Sequence, residues 1–329
     1  MHFALIRLTA AAITLACAVA LPAAAAEDAD AAVREQFRAA YTAASTGLAA
    51  DDDETLRAYV LYPYVRAARI AHALERAQQA WTETDVATAD FLAESGDAPV
   101  ARALHRAWLA SLARRGSWEA FSRHYDGAVA TPALECQLFN ARIARAETAN
   151  LAPAIRARWL TGHRLPTECE PAFQWLRQAG ELPDDLIAER ATLLLDNGQA
   201  SFARVIAARL PQDTAAPLLE RADFVESPAR MLDALLRQPA STTPSSVVLE
   251  AWSRLARNSP QAALARFDAL EQRLPAPDKH ELALKLAMGL AWDRSAEALD
   301  YFARVPAAAF DESSLEWRAR AGMWAGDWD

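Results

Sequence analysis

Apolar residues recur at helical spacing from about Ala29 to Asp329, in short segments closed by Gly, Pro, Asn or Asp. No stretch alternates apolar and polar positions long enough to read as a strand, so the pattern predicts helices throughout. Val33, Phe37, Ala40, Tyr41 and Ala44 predict a first helix that ends at Thr46-Gly47. Asp51-Asp52-Asp53-Glu54 then opens the next one, where acidic side chains suit the positive end of the helix dipole. These carboxylates are consecutive, whereas a calcium loop spaces its ligands around a central Gly, so helix capping is the reading taken.

Further along, the helices come in pairs. Leu104, Trp108, Leu109 and Leu112 form a stripe that Arg115-Gly116-Ser117 interrupts before Trp118, Phe121 and Tyr125. Ile187, Ala191, Leu194 and Leu195 precede Asn197-Gly198, and Phe202, Val205, Ile206 and Leu210 follow. Leu249, Trp252, Leu255 and Ala256 precede Asn258-Ser259-Pro260, and Leu264, Phe267 and Leu270 follow. Leu282, Leu286 and Leu290 precede Asp293-Arg294-Ser295, and Leu299 and Phe302 follow. The later breaks are separated by one or two lengths of about 30–35 residues, the size of a helix-hairpin repeat. The predicted fold is all-α: an irregular, tetratricopeptide-like α-α superhelix in which each hairpin buries its stripe on its neighbours.

The first 26 residues stand apart. Arg7, an apolar run from Leu8 to Leu21 and the small residues Ala24-Ala25-Ala26 read as a secretory signal peptide cleaved after Ala26. The run is short for a membrane anchor, which needs roughly 20 apolar residues. A lipidated Cys17 is the other alternative, but Thr14-Leu15-Ala16 lacks the Leu three positions ahead. No second long apolar run follows, so no stable membrane insertion is expected. Glu27 to Ala58 is taken as a helical lead-in and 59–329 as the superhelical domain.

The whole chain carries a net charge of −9, and Lys279 and Lys285 are its only lysines. Without a basic cluster or an Arg stripe interleaved with aromatics, nucleic acid is excluded as a partner. Once Cys17 is removed, Cys136 and Cys169 remain. An isolated pair in an oxidising compartment usually bonds, and the alternative is two buried free thiols.

Catalytic motifs are missing. His280-Glu281 begins like a zinc-protease motif but has Leu284 where the second His belongs. His72, His105, His124 and His163 are scattered, and no Gly-x-Ser-x-Gly elbow, phosphate loop or Cys-x-x-Cys occurs. Trp108, Trp118, Trp175, Trp252 and Trp292 fit helix–helix contacts better than a sugar-stacking platform. No catalytic, cofactor-binding or metal-ligating residue is assigned.

Leu61-Tyr62-Pro63-Tyr64, with the preceding Arg57-Ala58-Tyr59-Val60, resembles the opening of the superhelical domain of soluble lytic murein transglycosylases. In the same order, Leu112-Ala113-Arg114-Arg115-Gly116-Ser117-Trp118 resembles that family's Leu-Ala-Arg-Arg-x-x-Trp turn. Glu135-Cys136 and Trp159-Leu160-Thr161-Gly162, leading to Cys169, resemble its two cysteine-bearing segments. Arg318-Ala319-Arg320-Ala321 with Gly326-Asp327-Trp328 resembles a late repeat turn. The resemblance covers roughly Tyr59 to Asp329.

The resemblance implies a periplasmic protein of a Gram-negative bacterium acting on peptidoglycan. Family members cleave the β-1,4 bond between N-acetylmuramic acid and N-acetylglucosamine without water, releasing 1,6-anhydromuropeptides. One Glu of a lysozyme-like domain serves as acid and then base, and the helical part forms a ring that helps to hold glycan strands. That catalytic Glu-Ser and its downstream Gly-Leu-Met-Gln are missing here. Glu94-Ser95, Glu226-Ser227 and Glu312-Ser313 occur, but no Gly-Leu-Met-Gln follows any of them. The expectation is a scaffold truncated at its C-terminal end and forming part of the ring. It would support glycan binding, inactive as a lyase alone, with other cell-wall enzymes as further partners. The competing expectation is a periplasmic helical-repeat adaptor that binds protein partners.

Overall fold

The computed structural model describes residues 31–48, 51–238 and 243–327, so the expected cleavage point at Ala26 and Trp328 of the late turn lie outside it. Among these residues all regular structure is helical, as the spacing predicts. The chain divides into two units with interleaved segments. One holds the chain up to Leu151 together with Leu165–Trp175, and the other holds Ala152–Arg164 and the chain from Leu176 on.

In the first unit, α1 (31–46) is followed by α2 (Glu54–Ala58), α3 (Tyr62–Arg76), α4 (Glu83–Ser95), α5 (Pro99–Arg114), α6 (Trp118–His124) and α7 (Pro132–Ala144). α3, α5 and α7 pack side by side; α4 lies against α3 and α5, and α6 against α5 and α7. The stripe Leu104, Trp108, Leu109 and Leu112 is buried, with Phe121 beside it. The acidic run before α2 divides its work. Asp53 caps the helix by accepting from the Leu56 amide at 2.8 Å. Asp52 instead accepts from both terminal nitrogens of Arg69 and from the Tyr62 hydroxyl at 2.7 Å, so the tyrosine of the Leu-Tyr-Pro-Tyr segment anchors the loop.

A second ionic anchor joins α4 to α5. Asp85 completes a capping box with Thr82 and accepts the Trp108 indole N–H at 2.7 Å. It also accepts both terminal nitrogens of Arg115.

Next come α8 (Leu151–Trp159) and α9 (Glu170–Gln178). The second unit continues with α10 (Asp184–Asp196), α11 (Ala200–Ala207), α12 (Gln212–Glu226), α13 (Pro228–Arg237) and α14 (Ser245–Asn258). It ends with α15 (Pro260–Leu264), α16 (Phe267–Glu271), α17 (Ala276–Trp292), α18 (Ala298–Phe302) and α19 (Glu312–Ala325). The helices α10, α12, α14, α17 and α19 stand in one row, each against the next, and the shorter helices between them form a second layer. This is the helix-hairpin stack that the paired stripes predict. Its core holds Leu249, Trp252, Phe267, Leu286 and Phe302, all buried.

Three of the turns between paired stripes close in the same way as several others in the chain. The amides of Ser117, Gln199 and Ser295 reach back to the carbonyls of Leu112, Leu194 and Leu290, a Schellman closure. The residue in left-handed conformation is Gly116 or Gly198 in two of them, but Arg294, at φ +56°, in the third. The single helix expected after Pro260 is broken at Ala265–Arg266, and the Arg266 side chain there grips Asp233 of α13 at 2.7 and 2.8 Å. Val205 departs from its expected core position and is 55% exposed.

Candidate functional site

In the second unit the residues of α14 that face away from the core share a groove with α12 and α17. On α14, Val248, Trp252 and Leu255 point inward, which leaves Glu250, Ser253, Arg254 and Arg257 on the opposite side. On α17, Leu282 and Leu286 are buried, and Asp278, Glu281 and Lys285 line the groove. Arg221 of α12 and Asp196 at the end of α10 complete it, around a volume of about 960 Å³.

The register of the two main walls is fixed by two contacts. The Trp252 indole N–H donates to the Leu282 carbonyl at 2.8 Å. Gly289 rests against the Ala256 carbonyl so closely that a Cβ there would overlap the oxygen. Because 252 meets 282 and 256 meets 289, α14 and α17 run in the same direction. Asp278 and Glu281 therefore lie toward the end where Glu250 sits. Lys285 lies further along, and the Arg257 guanidinium stacks over Trp292 at 5.3 Å at the far end.

Four cations and four anions line the groove, and half of them neutralise one another. Arg221 bonds Glu250 at 2.7 Å and Asp196 at 2.5 Å, and Arg254 bonds Glu250 at 3.1 Å and the Leu195 carbonyl at 2.9 Å. Burial works against the charge on Arg221, but its two carboxylate bonds outweigh it and raise its pKa. The Nε of Arg254 is buried and has no acceptor among the described residues. Arg257, Lys285, Asp278 and Glu281 form no salt bridge among the described residues, although Arg257 stacks over Trp292 and Lys285 acts electrostatically on Asp311. None of its lining residues is aromatic.

The residues singled out by sequence lie elsewhere. Cys136 of α7 and Cys169 are joined in a disulfide with a Cα–Cα distance of 4.8 Å, both fully buried. Beside them, Asn140 donates to the Glu168 carbonyl at 2.8 Å. Glu94 pairs with Arg66, Glu226 with Arg204, and Glu312 opens α19, so each of these glutamates has a local structural role. His105 and His124 come together, with a His105 ring nitrogen 2.8 Å from the His124 carbonyl. Burial first, then the nearby charges of Arg123 and His105, lower the His124 pKa. No group of three or more metal-ligating side chains forms among the described residues. The core reading of the tryptophans fits Trp108 and Trp252, whereas Trp292 is 36% exposed beneath Arg257.

The groove was not found from sequence. Its signal is the charged spacing 250, 254, 257 on α14 and 278, 281, 285 on α17, opposite two apolar stripes.

No family profile matches the chain. It is 27% identical over 161 residues to the soluble lytic murein transglycosylases of Salmonella typhimurium and of Escherichia coli K12, a match covering 48% of this chain and 24% of each relative. Among solved structures, an inactive mutant of lytic transglycosylase Slt from Pseudomonas aeruginosa superposes with a TM-score of 0.59 at 26% identity, covering 90% of this chain and 48% of that one. The 70-kDa soluble lytic transglycosylase bound to bulgecin A gives a TM-score of 0.57 at 21% identity, covering 90% and 45%. The chain is thus similar in sequence and fold to soluble lytic transglycosylases, and spans less than half the length of the proteins it matches.

Proposed function

We propose that this chain is a periplasmic helical scaffold of the soluble lytic transglycosylase type, which binds peptidoglycan in murein cleavage and turnover and has no lyase activity by itself. The observation that carries this reading is the agreement of two matches. The same kind of protein is found by sequence, at 27% identity over 161 residues, and by fold, at a TM-score of 0.59. The absence of activity rests on chemistry. The glutamates of the three Glu-Ser pairs each serve an ion pair or a helix start. The resemblance implies a catalytic Glu-Ser with a downstream Gly-Leu-Met-Gln, and no Gly-Leu-Met-Gln follows a Glu-Ser in this sequence. The signal-like leader supports export, and no helix among the described residues is long and apolar enough to cross a membrane.

The test has two arms. The purified chain is incubated with peptidoglycan sacculi and sedimented, and the supernatant is examined for 1,6-anhydromuropeptides. Co-sedimentation without released products is expected. Released anhydro products would overturn the inactive scaffold. A chain left wholly in the supernatant would overturn peptidoglycan binding and favour the protein-binding adaptor.

A further inference from the structure

A cleft of the first unit runs along α3 and α5, with α1 at one end and α7 at the other. Tyr64 and Pro99, near the two helix starts, line a cavity of about 280 Å³. Near the two helix ends, the Ser111 hydroxyl donates to the Leu74 carbonyl at 2.7 Å, and both residues line a cavity of about 640 Å³. The two helices are therefore parallel. The cavities adjoin, because Ala71 and Ala107 line both. From Tyr64 to Glu75 the cleft is roughly 17 Å long at 1.5 Å of rise per residue.

We infer that this cleft docks an amphipathic α-helix of a partner protein, with a lysine or arginine of that helix seated beside Glu168. The floor decides the partner's conformation. It is made of alanines, among them Ala68, Ala71, Ala103, Ala107 and Ala110. In the smaller cavity the hydroxyls of the exposed Tyr41 and Tyr64 are the polar side-chain groups among the lining residues. An extended peptide or a sugar chain laid there would lose water from its amides or hydroxyls and gain few partners for them. A helix satisfies its own backbone, and small residues beneath it let its axis come close. Roughly three turns fill the length, with apolar anchors spaced i, i+3 or i+4, and i+7.

The far end decides the partner's charge. Its charged lining residues are Glu75, Glu168 and Arg114. Arg114 is held by the Leu74 carbonyl at 2.7 Å and the Ala77 carbonyl at 3.2 Å. Glu75 and Glu168 form no salt bridge among the described residues, and the Glu168 carboxylate accepts a long bond from the Thr167 hydroxyl at 3.5 Å. Asn140, 9% exposed, donates to the Gln137 side chain at 3.0 Å and to the Glu168 carbonyl at 2.8 Å, and both of those residues line the cleft. Its own carbonyl oxygen is buried with no hydrogen-bond partner among the described residues. A buried acceptor left without a donor is costly. A cationic side chain entering beside Glu168 supplies a countercharge for the carboxylates and a donor for this oxygen.

The experiment selects a displayed library of random peptides, each about 15 residues or roughly four helical turns long, on the full chain. The enriched peptide is then titrated by fluorescence anisotropy. Ala110→Trp, which blocks the cleft at an exposed position, and Glu168→Lys are compared with the unmodified chain, with thermal denaturation as a folding control. The enriched peptide is expected to carry a lysine or arginine near one end and to be helical when bound, as circular dichroism reads. Each variant should weaken binding at least about tenfold, and affinity should fall as salt rises. Exchanging the basic residue of the peptide for glutamate should restore binding to Glu168→Lys and abolish it for the unmodified chain. No enrichment, a peptide bound in extended form, or indifference to both variants in folded protein would overturn the inference. So would displacement of the peptide by a soluble glycan disaccharide, which makes the cleft a sugar site. Self-association of the chain that Ala110→Trp abolishes would also overturn it, since the occupant is then a second copy. Co-sedimentation with sacculi depends on none of these outcomes, so peptidoglycan binding stands or fails separately.

Discussion

The carboxylate of Asp85, in the first turn of α4, lies 2.6 Å from the guanidinium of Arg115 at the end of α5, with their side chains 0% and 1% exposed. Arg115 is the second arginine of the Leu-Ala-Arg-Arg segment. Its role is therefore to lock one hairpin to the next. Removing it leaves a buried carboxylate with Thr82 and Trp108 as its remaining partners. Arg115→Ala should destabilise the chain by about 3–5 kcal/mol, the cost of breaking a buried pair from one side. Chemical denaturation monitored by circular dichroism checks this, and a loss below about 1 kcal/mol would refute the locking role.

The same carboxylate sets an acid limit. Burial alone raises the Asp85 pKa, but hydrogen bonds from Arg115, Thr82 and Trp108 outweigh it and bring the pKa from 3.8 to about 2. The hydrogen bond from Arg69, opposed by burial and aided by Tyr62, brings Asp52 likewise to about 2. A carboxylate with a lower pKa in the folded state binds fewer protons there. It therefore stabilises the fold fully above about pH 4 and loses that contribution as pH falls to about 2. For Asp85 this is on the order of 2 kcal/mol. Unfolding free energy should drop steeply across this window, and Asp85→Asn should flatten the drop.

Reduction should weaken the first unit. The bond between Cys136 and Cys169 closes a separation of 33 residues, and the loop-entropy account gives about 3–4 kcal/mol for such a ring. The double variant Cys136→Ser, Cys169→Ser should lose about that much. A reducing agent should lower the melting temperature of the unmodified chain but not of the variant.

Gly289 sets the approach of α14 to α17. A Cβ at that position would overlap the Ala256 carbonyl oxygen and lie 2.7 Å from its carbon, and backbone cannot yield as a flexible side chain can. Gly289→Ala should cost about 1–3 kcal/mol by overpacking. It should also disturb the Trp252 bond to Leu282, which a shift in tryptophan fluorescence would report. An unchanged melting temperature and spectrum would show that the walls of the groove can part freely.

The stripes Leu104–Leu112, Ile187–Leu195 and Leu249–Ala256 were legible because each repeats within a turn or two of helix. The Cys136–Cys169 bond was legible because one pairing was possible. The links that join hairpins were not, since Asp85 meets Arg115 across 30 positions and no local rule relates them. The same holds for the groove, whose facing charges come from helices separated by the whole of α15 and α16. The acidic run before α2 was half legible. Asp53 caps as its position suggests, while Asp52 answers to Arg69, 17 residues away. Trp292 matched the helical period but lies at the rim of its stripe, where the period alone does not fix depth.

Because the two units interleave along the chain, no single cleavage separates them. A cut after Leu151 would strand Cys169 on the fragment that does not carry its partner. Residues 152–164, which belong to the second unit, lie inside the covalent ring closed by a disulfide of the first. Anyone dissecting this protein into pieces must therefore excise both strands of the ring together, or express it whole.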